Sequence, residues 1–116
     1  MPRQARLDTP GALHHIMVRE INRSDIFDDY EDRSRFLTSL GQNILETQSS
    51  LYAWVLMETH VDLLVRSGQQ GISALMRKLL TWYAQYYNRG IGGRGIYLKI
   101  VTNQSYARRR ITFWHL

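Results

Sequence analysis

Apolar and polar positions first fall into register along Leu13-His14-His15-Ile16-Met17-Val18, which reads as a strand with Ile16 and Val18 on one face and His15 and Met17 on the other. Asn22-Arg23-Ser24-Asp25 supplies turn chemistry. From 27 to 47 the period lengthens: Tyr30, Phe36, Leu37, Leu40, Ile44 and Leu45 recur near i, i+3, i+4, predicting a helix whose apolar face packs on a sheet. Ser49-Ser50 ends that helix. The run 51–57, a tight turn at Glu58-Thr59 and the run 60–65 then predict a hairpin of two strands. After a loop at 67–71, residues 72–88 carry Leu75, Met76, Leu79, Leu80, Tyr83, Tyr86 and Tyr87 at helical spacing. A basic hinge with Gly90, Gly92, Gly93 and Gly95 follows, and residues 96–101 have the composition of a fourth strand. The order β-α-β-β-α-β predicts an α+β, ferredoxin-like sandwich: an antiparallel sheet with two helices on one face.

Composition narrows this little but usefully. At 116 residues the chain is long enough for one domain and too short for two. No apolar stretch approaches the roughly 20 residues of a membrane span. The first residues, Met1-Pro2-Arg3-Gln4-Ala5-Arg6-Leu7, lack the apolar segment of a secretion signal, so a cytoplasmic location is expected. The chain has no cysteine, which removes disulfides and thiolate metal sites. A net charge of +5 favours a polyanionic partner, nucleic acid first, although the same charge is also compatible with an ordinary solvated surface.

The segment Met57-Glu58-Thr59-His60-Val61-Asp62-Leu63-Leu64 carries the sharpest chemical signal. Side chains alternate along a strand, so His60 and Asp62 point the same way and could share one divalent cation, which would polarise a phosphate or activate a nucleophile. A strand with a merely polar outer face gives the same pattern. His14 and His15 are adjacent, so one of them must face the helix side, where a lone core histidine is commoner than a ligand.

Five segments, taken in order, resemble one family: Pro2-Arg3-Gln4-Ala5-Arg6-Leu7, Leu13-His14-His15-Ile16, Tyr52-Ala53-Trp54-Val55-Leu56-Met57, His60-Val61-Asp62-Leu63-Leu64 and Leu75-Met76-Arg77-Lys78-Leu79-Leu80. The family is the single-tyrosine HUH transposases, and within it the REP-associated tyrosine transposases related to insertion sequence 200. The resemblance runs from Pro2 to about Gly95. It implies a ferredoxin-like fold and a single-stranded DNA hairpin as partner. It also implies strand cleavage and rejoining through a 5′-phosphotyrosine, with a divalent metal (Mg²⁺ or Mn²⁺) as cofactor. In the family's motif two histidines flank one hydrophobic residue; here the first is His60, the hydrophobic residue is Val61, and Asp62 replaces the second histidine. The resemblance also makes Arg3, Arg6, Arg19 and Arg23 the candidates for hairpin binding, against the alternative of ordinary solvated arginines.

The family's nucleophile lies after the fourth strand, in a segment reading like Val-Arg-Tyr-Ile-His-Leu-Asn-Pro, and residues 96–116 contain no such segment. Tyr83, Tyr86 and Tyr87 are read as helix-face and core residues, leaving Tyr97 and Tyr106 in a divergent tail. A permitted set of codons for residues 95–109, shifted by two nucleotides, encodes His-Leu-Phe-Lys-Asn-Arg-Tyr-Lys-Ser-Ile-Leu-Cys-Glu-Glu, which resembles what the family places after this glycine. The expectation is a transposase-like DNA-binding domain over 1–95, a frameshift near Gly95, a fourth strand formed only by chance, and a missing nucleophile helix with cleavage lost. On that view the run Arg108-Arg109-Arg110 has no selected role, and Phe113, Trp114 and Leu116 favour aggregation or a homodimer. The alternative is a non-catalytic hairpin-binding module that interferes with intact transposases. An RNA-recognition domain fits less well, since no strand has the aromatic pattern that stacks bases.

Overall fold

A computed structural model describes residues 10–90 and 95–105. Arg3, Arg6, Tyr106, the run 108–110, Phe113, Trp114 and Leu116 lie outside the described residues. The elements are β1 (Leu13–Glu20), α1 (Tyr30–Glu46), β2 (Ser50–Leu56), β3 (His60–Arg66), α2 (Gly71–Gly90) and β4 (Leu98–Ser105). The strands form one sheet in the order β2-β3-β1-β4, every neighbouring pair antiparallel. This is the ferredoxin-like sandwich that the pattern predicts.

Alternation along β1 and β3 sets the two faces. Ile16 pairs with Leu63 and Val18 with Val61, and these side chains are buried together with Phe36, Leu40 and Ile44 of α1 and Leu75, Leu79 and Tyr83 of α2. Both helices therefore cover one face, and the face carrying His15 and Met17 is left open. Among the described residues no helix is long and apolar enough to cross a membrane.

Several boundaries differ from the sequence expectation. The first helix begins at Tyr30 rather than 27, because Asp29 is extended (φ −156°) and its carboxylate accepts the Asp32 N–H at 3.0 Å while Asp32 accepts the Asp28 N–H at 2.8 Å. These two caps start a helix after Asp29 and leave Ile26 and Phe27 buried in the preceding loop. At the other end Gln48 takes a left-handed φ of 57°, and the helix closes at Glu46. The second helix continues two residues past the expected end, to Gly90. β1 extends to Glu20, and β4 begins two residues later than expected but continues to Ser105, because β1 offers it a paired edge from His14 to Glu20. Tyr30 and Leu45, expected on the apolar face of α1, are exposed: Tyr30 is the first helical residue, and Leu45 lies about 100° around from Ile44.

Two features hold the connections. Gly68 packs against the chain leaving α1, where an added Cβ would collide with the backbone carbonyls of Thr47 and Gln48. Glu20 is buried, and its carboxylate accepts from the Asn22 N–H (2.7 Å), the Ser24 N–H (3.2 Å), the Ser24 hydroxyl (2.9 Å) and the Tyr97 N–H (3.4 Å). Burial alone would raise the Glu20 pKa, but the donors from Ser24, Asn22 and Tyr97 outweigh it and leave the pKa below the ordinary value.

Gly68→Ala should lower unfolding stability by about 2–3 kcal/mol, since backbone rather than a flexible side chain must yield; chemical denaturation measures this, and an unchanged midpoint would remove the role given to Gly68. Because the Glu20 pKa is depressed on folding, its stabilisation is present in full above the unfolded value near 4.5 and disappears as pH falls through the lower folded value. In urea titrations from pH 7 to pH 3, Glu20→Gln should therefore be less stable than the parent at pH 7, with the gap narrowing in acid. A gap independent of pH would contradict this.

Candidate functional site on the open sheet face

The open face is built by the residues of β1 and β3 that alternate away from the helices. On β1 these are His15, Met17 and Arg19, and on β3 His60, Asp62, Leu64 and Arg66. The register sets Arg19 opposite His60, Met17 opposite Asp62 and His15 opposite Leu64. β4 adds Lys99 opposite Arg19.

At the centre, Asp62 lies between two imidazoles. His60 Nε2 is 3.5 Å from Asp62 Oδ2, and His15 Nε2 is 3.5 Å from Asp62 Oδ1. The carboxyl side chain is 30% exposed, so it is sheltered but reachable. In the octahedral geometry of Mg²⁺ or Mn²⁺, bonds of about 2.1 Å separate adjacent donors by about 3.0 Å, so His60 Nε2 and Asp62 Oδ2 would have to draw about 0.5 Å closer to share one ion. His15 addresses the other carboxylate oxygen, and among the described residues no group of three or more His, Cys, Asp or Glu side chains could hold a metal ion. The described residues thus offer at most two donors to one ion, and the remaining coordination positions would fall to water or to phosphate oxygens.

Arg19 is partly buried, and its Nε has no hydrogen-bond partner among the described residues. A sheltered guanidinium N–H next to His60 is a donor suited to an anion. Arg23, the other described arginine singled out from the sequence, instead sits in the exposed turn after β1 at a left-handed φ of 63°. It is not part of the strand face. Sequence reasoning missed three contributors. His15 was left ambiguous beside His14; the structure buries His14, whose Nδ1–H donates to Asn103 Oδ1 at 2.9 Å, and turns His15 outward. Arg66 continues the alternation from His60 through Asp62 and Leu64, donating to the Tyr52 hydroxyl (3.1 Å) and the Gly11 carbonyl (2.7 Å). Lys99 sits in the stretch read as a divergent tail.

The three tyrosines of α2 are on the opposite side of the sheet and are occupied. Tyr83 donates to the Ile26 carbonyl, Tyr86 to Asp32 Oδ1 and Tyr87 to Asp28 Oδ1, the last two at 2.7 Å. Burial, reinforced by the Asp32 charge, raises the Tyr83 phenol far above its ordinary value. Tyr86 is pushed up to about 12, by burial first and then by its bond to Asp32. Both shifts disfavour the phenolate that attack on phosphorus requires, in agreement with their reading as packing residues.

Comparison with known proteins gives the same direction. The sequence profile of the family described as "Transposase IS200 like" matches residues 10–107, running through β4 and past Gly95. A solved structure of a REP-associated tyrosine transposase bound to a REP hairpin superposes with a TM-score of 0.64 at 14% identity, covering 93% of this chain and 62% of that one. A crystal structure of a Deinococcus radiodurans protein assigned as a transposase gives a TM-score of 0.58 at 18% identity, covering 78% and 77% of the two chains. No curated protein matches. At these identities the structural likeness establishes the shared fold, and this chain spans about three fifths of the hairpin-bound transposase. The sequence match over most of its length shows that the chain belongs to the IS200-like transposase family.

Proposed function

We propose that this chain binds single-stranded DNA hairpins through the open sheet face without cleaving them. The observation that carries this is the grouping on one face of Arg19, Lys99 and Arg66 around the sheltered His60, Asp62 and His15. The similar transposase bound to a REP hairpin makes DNA hairpins the substrate class to test first. The Arg19 guanidinium, on the same face, receives a backbone phosphate; Lys99 and Arg66 extend the positive surface along the strands. His60 and Asp62 would hold Mg²⁺ or Mn²⁺, and such an ion would polarise a phosphate oxygen. His15, against the second oxygen of Asp62, keeps that carboxylate oriented between the two strands. The turn residue Arg23 adds charge beside this face, and Arg3 and Arg6 remain candidates for DNA contact from the sequence alone.

Loss of cleavage is supported by the three helix tyrosines being tied to acceptors. In this reading residues 1–95 are the inherited DNA-binding domain and residues 96–116 are a divergent tail that still supplies β4. A hairpin occupied in the cytoplasm without being cut is closed to an intact transposase, so the chain acts as an interfering module.

With a fluorescent DNA hairpin and Mn²⁺, the protein should raise anisotropy yet form no adduct that survives denaturing electrophoresis. A covalent adduct would sink the binding-only reading. Arg19→Ala should weaken hairpin binding roughly tenfold and lessen its salt dependence. Mn²⁺ binding, followed by electron paramagnetic resonance, should fall by roughly tenfold or more in His60→Ala and in Asp62→Ala; equal affinity in both variants and the parent would exclude this pair as the metal site.

A further inference from the structure

On the side of the fold away from the open sheet face, α1 and α2 leave a groove of about 720 Å³ between their outward surfaces. That volume is in the range of ligand clefts and admits a nucleotide. Three cations line it, Arg35, Arg77 and Lys78, against one carboxylate, Glu46. Lys78 lies 3.8 Å from Glu46 and Arg35 lies 3.4 Å from Glu31; both pairs are exposed, so phosphate could replace the carboxylates at little cost. Arg77 makes no ion pair among the described residues.

Trp82 also lines the groove, 38% exposed, and its orientation is set from behind. Its ring stacks on Tyr86 with centroids 5.5 Å apart and planes 6° from parallel. Tyr86 is itself held by its 2.7 Å bond to Asp32, and the Arg35 guanidinium stands 5.9 Å from its ring. An indole held in place beside several cations is the combination that captures unpaired bases, because stacking needs only a free base face while the cations follow the phosphates. A base-paired duplex has no such face to offer.

We propose that this groove is a second nucleic-acid site, which takes the single-stranded DNA flanking the hairpin, with one base stacked on Trp82 and backbone phosphates on Arg77 and Lys78. The inference rests on the hairpin-binding reading for the identity of the DNA, but not for the groove chemistry. Flank binding here and hairpin binding on the sheet place the two parts of one DNA on opposite sides of the fold, so the connecting strand passes around the domain edge.

The test compares affinities of the full chain for two labelled DNAs by anisotropy: a blunt hairpin, and the same hairpin with a ten-nucleotide single-stranded extension. The parent should bind the extended DNA at least about fivefold more tightly. Trp82→Ala and the double variant Arg77→Ala with Lys78→Ala should each abolish that preference and leave the blunt-hairpin affinity unchanged, whereas Trp82→Phe, which keeps a stacking ring, should restore most of it. Circular dichroism melting identifies any variant that fails through unfolding, and Trp82→Phe then decides. A preference that survives in Trp82→Ala, or its absence in the parent, overturns the proposal. If the parent binds no hairpin at all, the sheet-face reading fails while the groove is judged on an unstructured oligothymidine: binding that Trp82→Ala weakens upholds it, and binding indifferent to Trp82, or none, overturns it.

Discussion

The antiparallel pairing of β1 with β3 is the constraint on which the rest depends. It sets Ile16 opposite Leu63 and Val18 opposite Val61, and so commits one complete set of side chains to the core. A slip of one residue would bury His60 and Asp62 under the helices and expose the core valines, so hydrophobic burial enforces the register that builds the polar face. The site is thus a by-product of core formation: the energy that holds Asp62 between His60 and His15 comes mostly from the opposite side of the same strands.

The helix layer is fastened to that sheet by aromatic packing with polar ends. Phe27 meets Phe36 edge-on at 5.5 Å and Tyr83 at 5.6 Å, while Phe36 and Tyr83 are 5.3 Å apart. The hydroxyls of Tyr83, Tyr86 and Tyr87 reach back to Ile26, Asp32 and Asp28, where α1 begins. Asp32 therefore serves both the helix cap and Tyr86. Each of the three hydroxyls is thereby committed as a donor to a buried or sheltered acceptor.

β4 shows how tolerant an edge position is. Its partner β1 presents unpaired backbone along one side, and a segment with Leu98, Ile100 and Val101 can add to it through main-chain hydrogen bonds. Ile100 and Val101 remain exposed, and a bulge between Met17 and Val18 interrupts the ladder. Backbone pairing asks less of side-chain identity than core packing does, so strand formation here carries little information about whether residues 96–105 were selected for it.

Element order, the two-helix sandwich and the facing of His60 with Asp62 were legible from the sequence, because all three rest on local periodicity, and periodicity needs only neighbours along the chain. Helix ends were less legible, since the start of α1 depends on the Asp29 carboxylate accepting the Asp32 N–H while Asp32 accepts the Asp28 N–H, and these caps outcompete a continuous apolar pattern. Which of His14 and His15 faces the site, the arrival of Lys99 beside Arg19, and the helix groove with Trp82 were decided by tertiary structure alone. Each depends on residues far apart in sequence meeting across strands or between helices, and that meeting is fixed by how the one available core can be packed.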